Sequence, residues 1–151
     1  MTGAPVESSR IFYLHVMKTA GGTFSRYLRA HHRFGAVYPE KGLDDDLETA
    51  TFGIDYLLGL PPERHQAITV YTGHFPSVVA DLLDVDLVRV TILRDPVERT
   101  LSYLRHCRMY NPQHRDVPLE EIYEDPFQFT GFIHDHQTKQ FSMTRDDPLT
   151  T

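Results

Sequence analysis

Lys18, Thr19, Ala20, Gly21, Gly22 and Thr23 stand in a row between an apolar segment and a helical pattern. Those residue types in that order suit a loop folded around a phosphate. Gly21 and Gly22 let the backbone approach a ligand and adopt positive φ. The N–H groups of residues 20–23 fall where a helix should begin, and unpaired donors and the helix dipole favour an anion there. Thr19 and Thr23 add hydroxyl donors, and Lys18 adds a mobile positive charge. The lysine precedes the glycines, whereas the common nucleoside-triphosphate loop places it after them as Gly-Lys-Ser/Thr. The bland alternative is a glycine-containing strand-to-helix turn with a surface lysine.

Two further groups suit the same chemistry. Arg94 follows an apolar run, and a guanidinium forks onto phosphate oxygens better than an ammonium does. Ser102 lies eight residues later, about two helical turns on, with a hydroxyl for the same oxygens. The alternative is that Arg94 pairs with Asp95 or Glu98 and that Ser102 is an ordinary helix residue. His74 follows Gly73 at the end of a second apolar run. A neutral imidazole can accept a hydroxyl proton near pH 7, although a loop histidine is more often simply hydrogen-bonded.

The elements that must position these groups alternate along the chain. Residues 1–10 read as a loose leader. Residues 11–16 read as a buried strand, and a helix is expected from about Thr23 to Ala30. Residues 31–66 mix glycine, proline and charge, with a short helix over 55–60 ended by Pro61-Pro62. Asp44-Asp45-Asp46 reads there as a solvated turn or helix start. Strands are expected over 67–72 and 87–93, the latter as a buried strand, with a short helix over 77–83 between them. Asp95 is a natural N-cap, Pro96 fits the first helical position, and Glu98 completes a capping box. That helix should reach Arg108 with Val97, Leu101 and Leu104 buried. Residues 119–123 and 126–143 look helical, and 144–151 form a polar tail. The alternation argues for a single α/β domain over residues 1–151 with a parallel sheet flanked by helices in three layers. Ligands bind such sheets outside the carboxyl ends of the strands. The loops at 17–23, 73–76 and 94–99 therefore converge.

Composition narrows the function classes. The chain has 151 residues and a net charge of −6, which argues against general nucleic-acid or membrane-surface binding. The single cysteine, Cys107, cannot form an internal disulfide, which fits a reducing compartment. The N-terminus has no apolar signal core, and no apolar run approaches the roughly 20 residues of a membrane span. The expected location is the cytoplasm. His31-His32 and the His134/His136 pair lack zinc-site spacing, so no metal is expected. Nothing in the sequence sets the oligomeric state.

Taken together, the motifs resemble those of a known family. "FYLHVMKTAGGTF" resembles the 5′-phosphosulfate loop of sulfotransferases, whose carbohydrate-modifying members carry a His-x-x-Lys-Thr-x-Gly-(Gly)-Thr form. "VTILRDPVERTLSYLRH" resembles their 3′-phosphate segment. "YTGHF" and "HQTKQF" are similar to the Gly-His and Gln-Thr-Arg/Lys elements of the heparan sulfate 2-O-sulfotransferase-like branch. The four lie in family order across residues 12–141.

The resemblance implies a P-loop NTPase-like sulfotransferase fold and 3′-phosphoadenosine 5′-phosphosulfate (PAPS) as sulfuryl donor, with no metal. It implies that Lys18, Thr19, Ala20, Gly21, Gly22 and Thr23 hold the 5′-phosphate. Arg94 and Ser102 would hold the 3′-phosphate, and His74 would serve as base toward a carbohydrate or other small hydroxylated acceptor. Tyr103, Arg105, His106 and the aromatics of 127–132 read first as core and second as an acceptor cleft. Two departures stand out. The family's catalytic domains usually run longer, so this chain is expected to be a compact form, a shortened one or a remnant. Thr72 stands where the heparan sulfate enzyme carries another histidine, which argues against a heparan-type substrate. The rival readings are a non-catalytic nucleotide-binding module and a kinase-like P-loop enzyme, the latter lacking its Gly-Lys-Ser/Thr.

Overall fold

The computed structural model describes residues 9–44 and 46–144. Most of the expected leader, Asp45 and residues 145–151 of the polar tail lie outside them.

Four strands form one parallel sheet: β1 (Arg10–Leu14), β2 (Val37–Tyr38), β3 (Val70–Gly73) and β4 (Leu87–Thr91), in the order β2-β3-β1-β4. β1 lies between β3 and β4, with Leu14 opposite both Gly73 and Thr91. Successive strand residues face opposite sides. Tyr13 and Val70 pack with Leu28 of α1 (Gly21–His31) on one face. Phe12, Leu14 and Tyr71 pack on the other with Ala50 of α2 (Leu47–Phe52), Ile54 and Leu57 of α3 (Ile54–Leu58), and Val79 of α5 (Val79–Leu82). This is the expected α/β architecture, a parallel sheet with helices against it.

Residues 31–66 hold more structure than expected. Besides β2 and the helices α2 and α3, a further helix, α4 (Pro62–Ala67), begins with proline in its first turn and takes up Ala67. The strand expected from residue 67 therefore starts at Val70. Asp44 is not solvated: it is buried and takes two hydrogen bonds from Arg64, at 3.1 and 2.8 Å. Asp46 does start a helix, accepting from the Glu48 and Thr49 amides at the head of α2.

β4 departs from the buried strand expected. Among the described residues it pairs only with β1, and Val88 is 50% exposed. The reason is its position at the sheet edge, where no described strand covers its outer side.

α6 (Pro96–Tyr110) opens as expected, with Asp95 accepting from the Glu98 amide at 3.0 Å. Glu98, however, takes the Arg94 guanidinium at 3.2 Å. The buried residues of α6 are Arg99, Tyr103, Leu104 and Cys107. Val97 is exposed because it borders an open groove of about 420 Å³ shared with α7 (Leu119–Glu124), not packed core.

The helix expected over 126–143 is broken. α8 (Pro126–Gln128) runs into a π-helical turn, Phe129–Ile133, and Asp135 adopts a left-handed φ of 50° before α9 (His136–Ser142). Ile122 and Ile133 join the buried face of α6 in a second core. Among the described residues, no helix is long and apolar enough to cross a membrane.

Candidate functional site

β1 delivers the first loop to the sheet's carboxyl edge. The left-handed residues there are not the glycines: Lys18 has φ 67° and Ala20 φ 70°. Gly21 and Gly22 are instead the first residues of α1, which starts two residues earlier than Thr23. Expecting positive φ at the glycines was therefore wrong, and close packing explains Gly21 instead. A Cβ added there would lie 1.9 Å from the His15 ring. A Cβ at Gly22 would meet nothing within 4 Å, so that side of the loop is open.

Holding non-glycine residues in left-handed conformations costs on the order of 1–3 kcal/mol each, a strain that clusters at functional loops. Thr19 is buried and donates its hydroxyl to the Val16 carbonyl at 2.9 Å. Its side chain therefore shapes the loop, leaving its backbone N–H as the group to offer a ligand. Thr23 is exposed on the first turn of α1. Among the described residues, the Ala20 N-cap position supplies no side-chain hydrogen bond to that helix; the Thr23 amide donates to the Ala20 carbonyl at 3.1 Å, so the Gly21 and Gly22 amides are the ones left to an anion.

β3 delivers His74 beside this loop. Its Nδ1–H donates to the His15 carbonyl at 2.7 Å. In the neutral ring that bond leaves the lone pair on Nε2. The ring is held between Phe52, with centroids 4.9 Å apart, and His15, at 4.4 Å. Its amide donates to the Thr51 carbonyl at 2.9 Å, which ties the loop to α2. Burial lowers the His74 pKa, partly offset by the hydrogen bond to His15. Burial and the neighbouring His74 lower His15 to about 4.

β4 delivers Arg94, whose exposed ion pair with Glu98 is a weak surface contact of about 0–1 kcal/mol that a phosphate can displace. The pairing with Glu98 matches the bland alternative for Arg94. Ser102 lies half-buried on α6, one turn before His106. Burial and the Lys18 charge both lower the His106 pKa, so the Lys18 ammonium lies in the field of this helix.

Sequence reasoning left Gln137 and Lys139 without roles and gave none to His15 or His136, although both stand in the motifs quoted above. Gln137 brackets the Arg94 peptide, accepting from its amide at 3.0 Å and donating to its carbonyl at 2.8 Å. The Gln140 carbonyl accepts from the Ser77 amide at 2.7 Å. α9 thus fastens the second and third loops together, and Lys139 holds the π turn through the Thr130 carbonyl. His136 is buried, with its pKa lowered to about 4 chiefly by burial and then by Arg99. His15, His74 and His136 line one cavity of about 280 Å³ with Phe52 and Phe132. The signal for His15 was its place directly after β1. His136 gave none, because its position depends on the break before α9.

Arg99 is fully buried and donates to the Phe132 carbonyl, while its Nη1 has no hydrogen-bond partner among the described residues. Among the described residues, no group of three or more His, Cys, Asp or Glu side chains is placed to hold a metal ion. Comparison of the chain with family models, curated proteins and solved structures gave no match.

Proposed function

We propose that this chain is a PAPS-dependent sulfotransferase acting on an acceptor hydroxyl. The observation that carries the reading is His74: its Nδ1–H is fixed on the His15 carbonyl, and its free Nε2 lone pair belongs to a ring lining a cavity beside the Lys18–Thr23 loop. The loop fits a phosphate through two left-handed residues, uncapped helix amides and open space at Gly22.

PAPS supplies an activated sulfuryl group. His74 Nε2 takes the acceptor proton as the new oxygen–sulfur bond forms and the sulfur–phosphate oxygen bond breaks. The departing electron pair stays on the phosphate, where Lys18 and the leading amides of α1 meet the growing charge. A preorganised donor of this kind is worth roughly 3–4 kcal/mol in a dry site. The proton then passes from His74 to solvent. Arg94 and Ser102 hold the 3′-phosphate.

A second reading, a nucleotide-binding module without turnover, is favoured by the existing Arg94–Glu98 pair.

Calorimetric titration with 3′-phosphoadenosine 5′-phosphate, 5′-AMP and ATP-Mg tests the donor. A charge-assisted contact of about 1.5–3 kcal/mol favours the 3′-phosphorylated ligand by ~10–150-fold, and Arg94→Ala removes that preference. Equal affinities, or a preference for ATP-Mg, overturn the donor assignment. Turnover with a hydroxylated acceptor separates the two readings.

A further inference from the structure

Two cavities adjoin at the sheet's carboxyl edge. The His74 cavity measures about 280 Å³, and its neighbour along α6 about 370 Å³. Met17, Phe52 and Phe132 line both, so they form the partition between two compartments of one cleft. Phe132 also stacks on Tyr103 at 5.5 Å, which extends the aromatic wall into the second compartment.

The described side chains that line this cleft are aromatic, aliphatic or neutral polar groups, with the Arg99 and Lys18 charges felt at His136 and His106. Among the described residues, no lysine, arginine, aspartate or glutamate lines either compartment. The polar side chains lining the second are Tyr103, His106, Cys107, Tyr110, Asn111 and Gln128. Carrying a polyanionic chain into such a cleft strips its hydration and returns no ion pair from the lining itself. Flat apolar rings lose nothing there and stack on Phe52 and Phe132.

We infer that this cleft takes a small, uncharged alcohol or phenol with a flat apolar body, its hydroxyl at His74 Nε2 and its body between Phe52 and Phe132. As an acceptor assignment this rests on the proposed sulfotransfer. Its content is specific: the aromatic walls favour a flat ring over a polyanionic sugar chain, and a ring system that fills the first compartment can extend past Phe132 into the second.

The test uses the full chain and two independent readouts. Donor binding is read by calorimetry with 3′-phosphoadenosine 5′-phosphate. Cleft binding is read by imidazole NMR shifts of labelled histidines during titration with 2-naphthol, beside a sulfated uronic-acid disaccharide. The expected result is that 2-naphthol shifts His15, His74 and His136 at sub-millimolar concentration, and that with PAPS it becomes the sulfate ester. The disaccharide does neither. Phe52 is 43% exposed, so Phe52→Ala should keep the fold while weakening 2-naphthol roughly tenfold.

Nucleotide binding without 2-naphthol binding, or preference for the disaccharide, overturns this inference and leaves the donor reading standing. Naphthol binding at the three histidines without nucleotide binding supports the cleft assignment and overturns the donor reading. Phe52→Ala with unchanged naphthol affinity overturns the placement of the ring.

Discussion

A methyl group added at Gly21 collides with a histidine ring, and the same group at Gly22 meets open space. Gly21→Ala must displace His15, and with it the ring that stacks on His74, at about 1–3 kcal/mol. Its melting temperature should fall. Gly22→Ala lies exposed in the first turn of α1, where alanine suits a helix better by up to ~1 kcal/mol. It should melt no lower than the parent yet bind 3′-phosphoadenosine 5′-phosphate more weakly, because the methyl fills the approach to the loop. Unchanged nucleotide affinity would place the phosphate elsewhere.

His74→Ala should abolish transfer and spare nucleotide affinity; near-normal turnover would remove the general-base role. Because burial lowers the His74 pKa, the ring proposed as the base stays neutral somewhat below pH 6.5. The acid limb of kcat/KM should therefore lie below that value, and a limb above it would contradict the buried ring. The loop and His74 stood out in the sequence because glycine, lysine and histidine are conspicuous at strand ends. The left-handed positions did not stand out, because Lys18 and Ala20 are ordinary helix formers and only tertiary packing imposes their φ.

At the scale of elements, α9 acts through Gln137. Gln137→Leu removes both hydrogen bonds to the Arg94 peptide without altering any charge. We expect it to cost about 1–2 kcal/mol in stability and to reduce the preference for the 3′-phosphorylated nucleotide over AMP. Lys139→Ala, which releases the Thr130 carbonyl and removes a charge felt at His136 but touches no atom of Arg94, should leave that preference intact. If the two variants behave alike in the titration, α9 does not position Arg94.

The strands and α6 were legible in outline from apolar runs and from Asp95-Pro96. Between residues 31 and 66 the short helix ahead of Pro61-Pro62 was legible and is α3, but β2 and α4 were not. A two-residue strand and a six-residue helix carry too few periods to register, and their order comes from long-range partners such as Arg64 on Asp44. The break before α9 was equally hidden, since residues 126–143 carry helix formers throughout and the π turn is held by contacts from α6 and Lys139.

At the scale of the whole molecule, burial keeps several histidines neutral. His15 and His136 titrate near 4 in the folded chain, and burial also lowers His65, His74 and His106. Between about pH 6.5 and 4 the unfolded chain therefore binds protons that the folded chain refuses. Stability rises with pH across that window and is lost as pH falls. His136, 7% exposed, contributes on the order of 2 kcal/mol. The urea midpoint should drop measurably from pH 7 to pH 5, and His136→Asn should flatten the slope. A midpoint independent of pH would mean that these rings are charged in the fold.

The sheet's register also sets an order in time. β1 is the first of the four strands to be synthesised, yet its neighbours are β3 and β4, and the Leu14 carbonyl receives the Thr91 hydroxyl from 77 residues along the chain. At about 5–20 residues per second on the ribosome, β1 waits roughly 4–15 seconds for that partner. Throughout that interval Phe12, Tyr13 and Leu14 have no native strand on the β4 side. The segment that leads into the Lys18–Thr23 loop is therefore the apolar stretch of the nascent sheet that waits through that interval for its second neighbour.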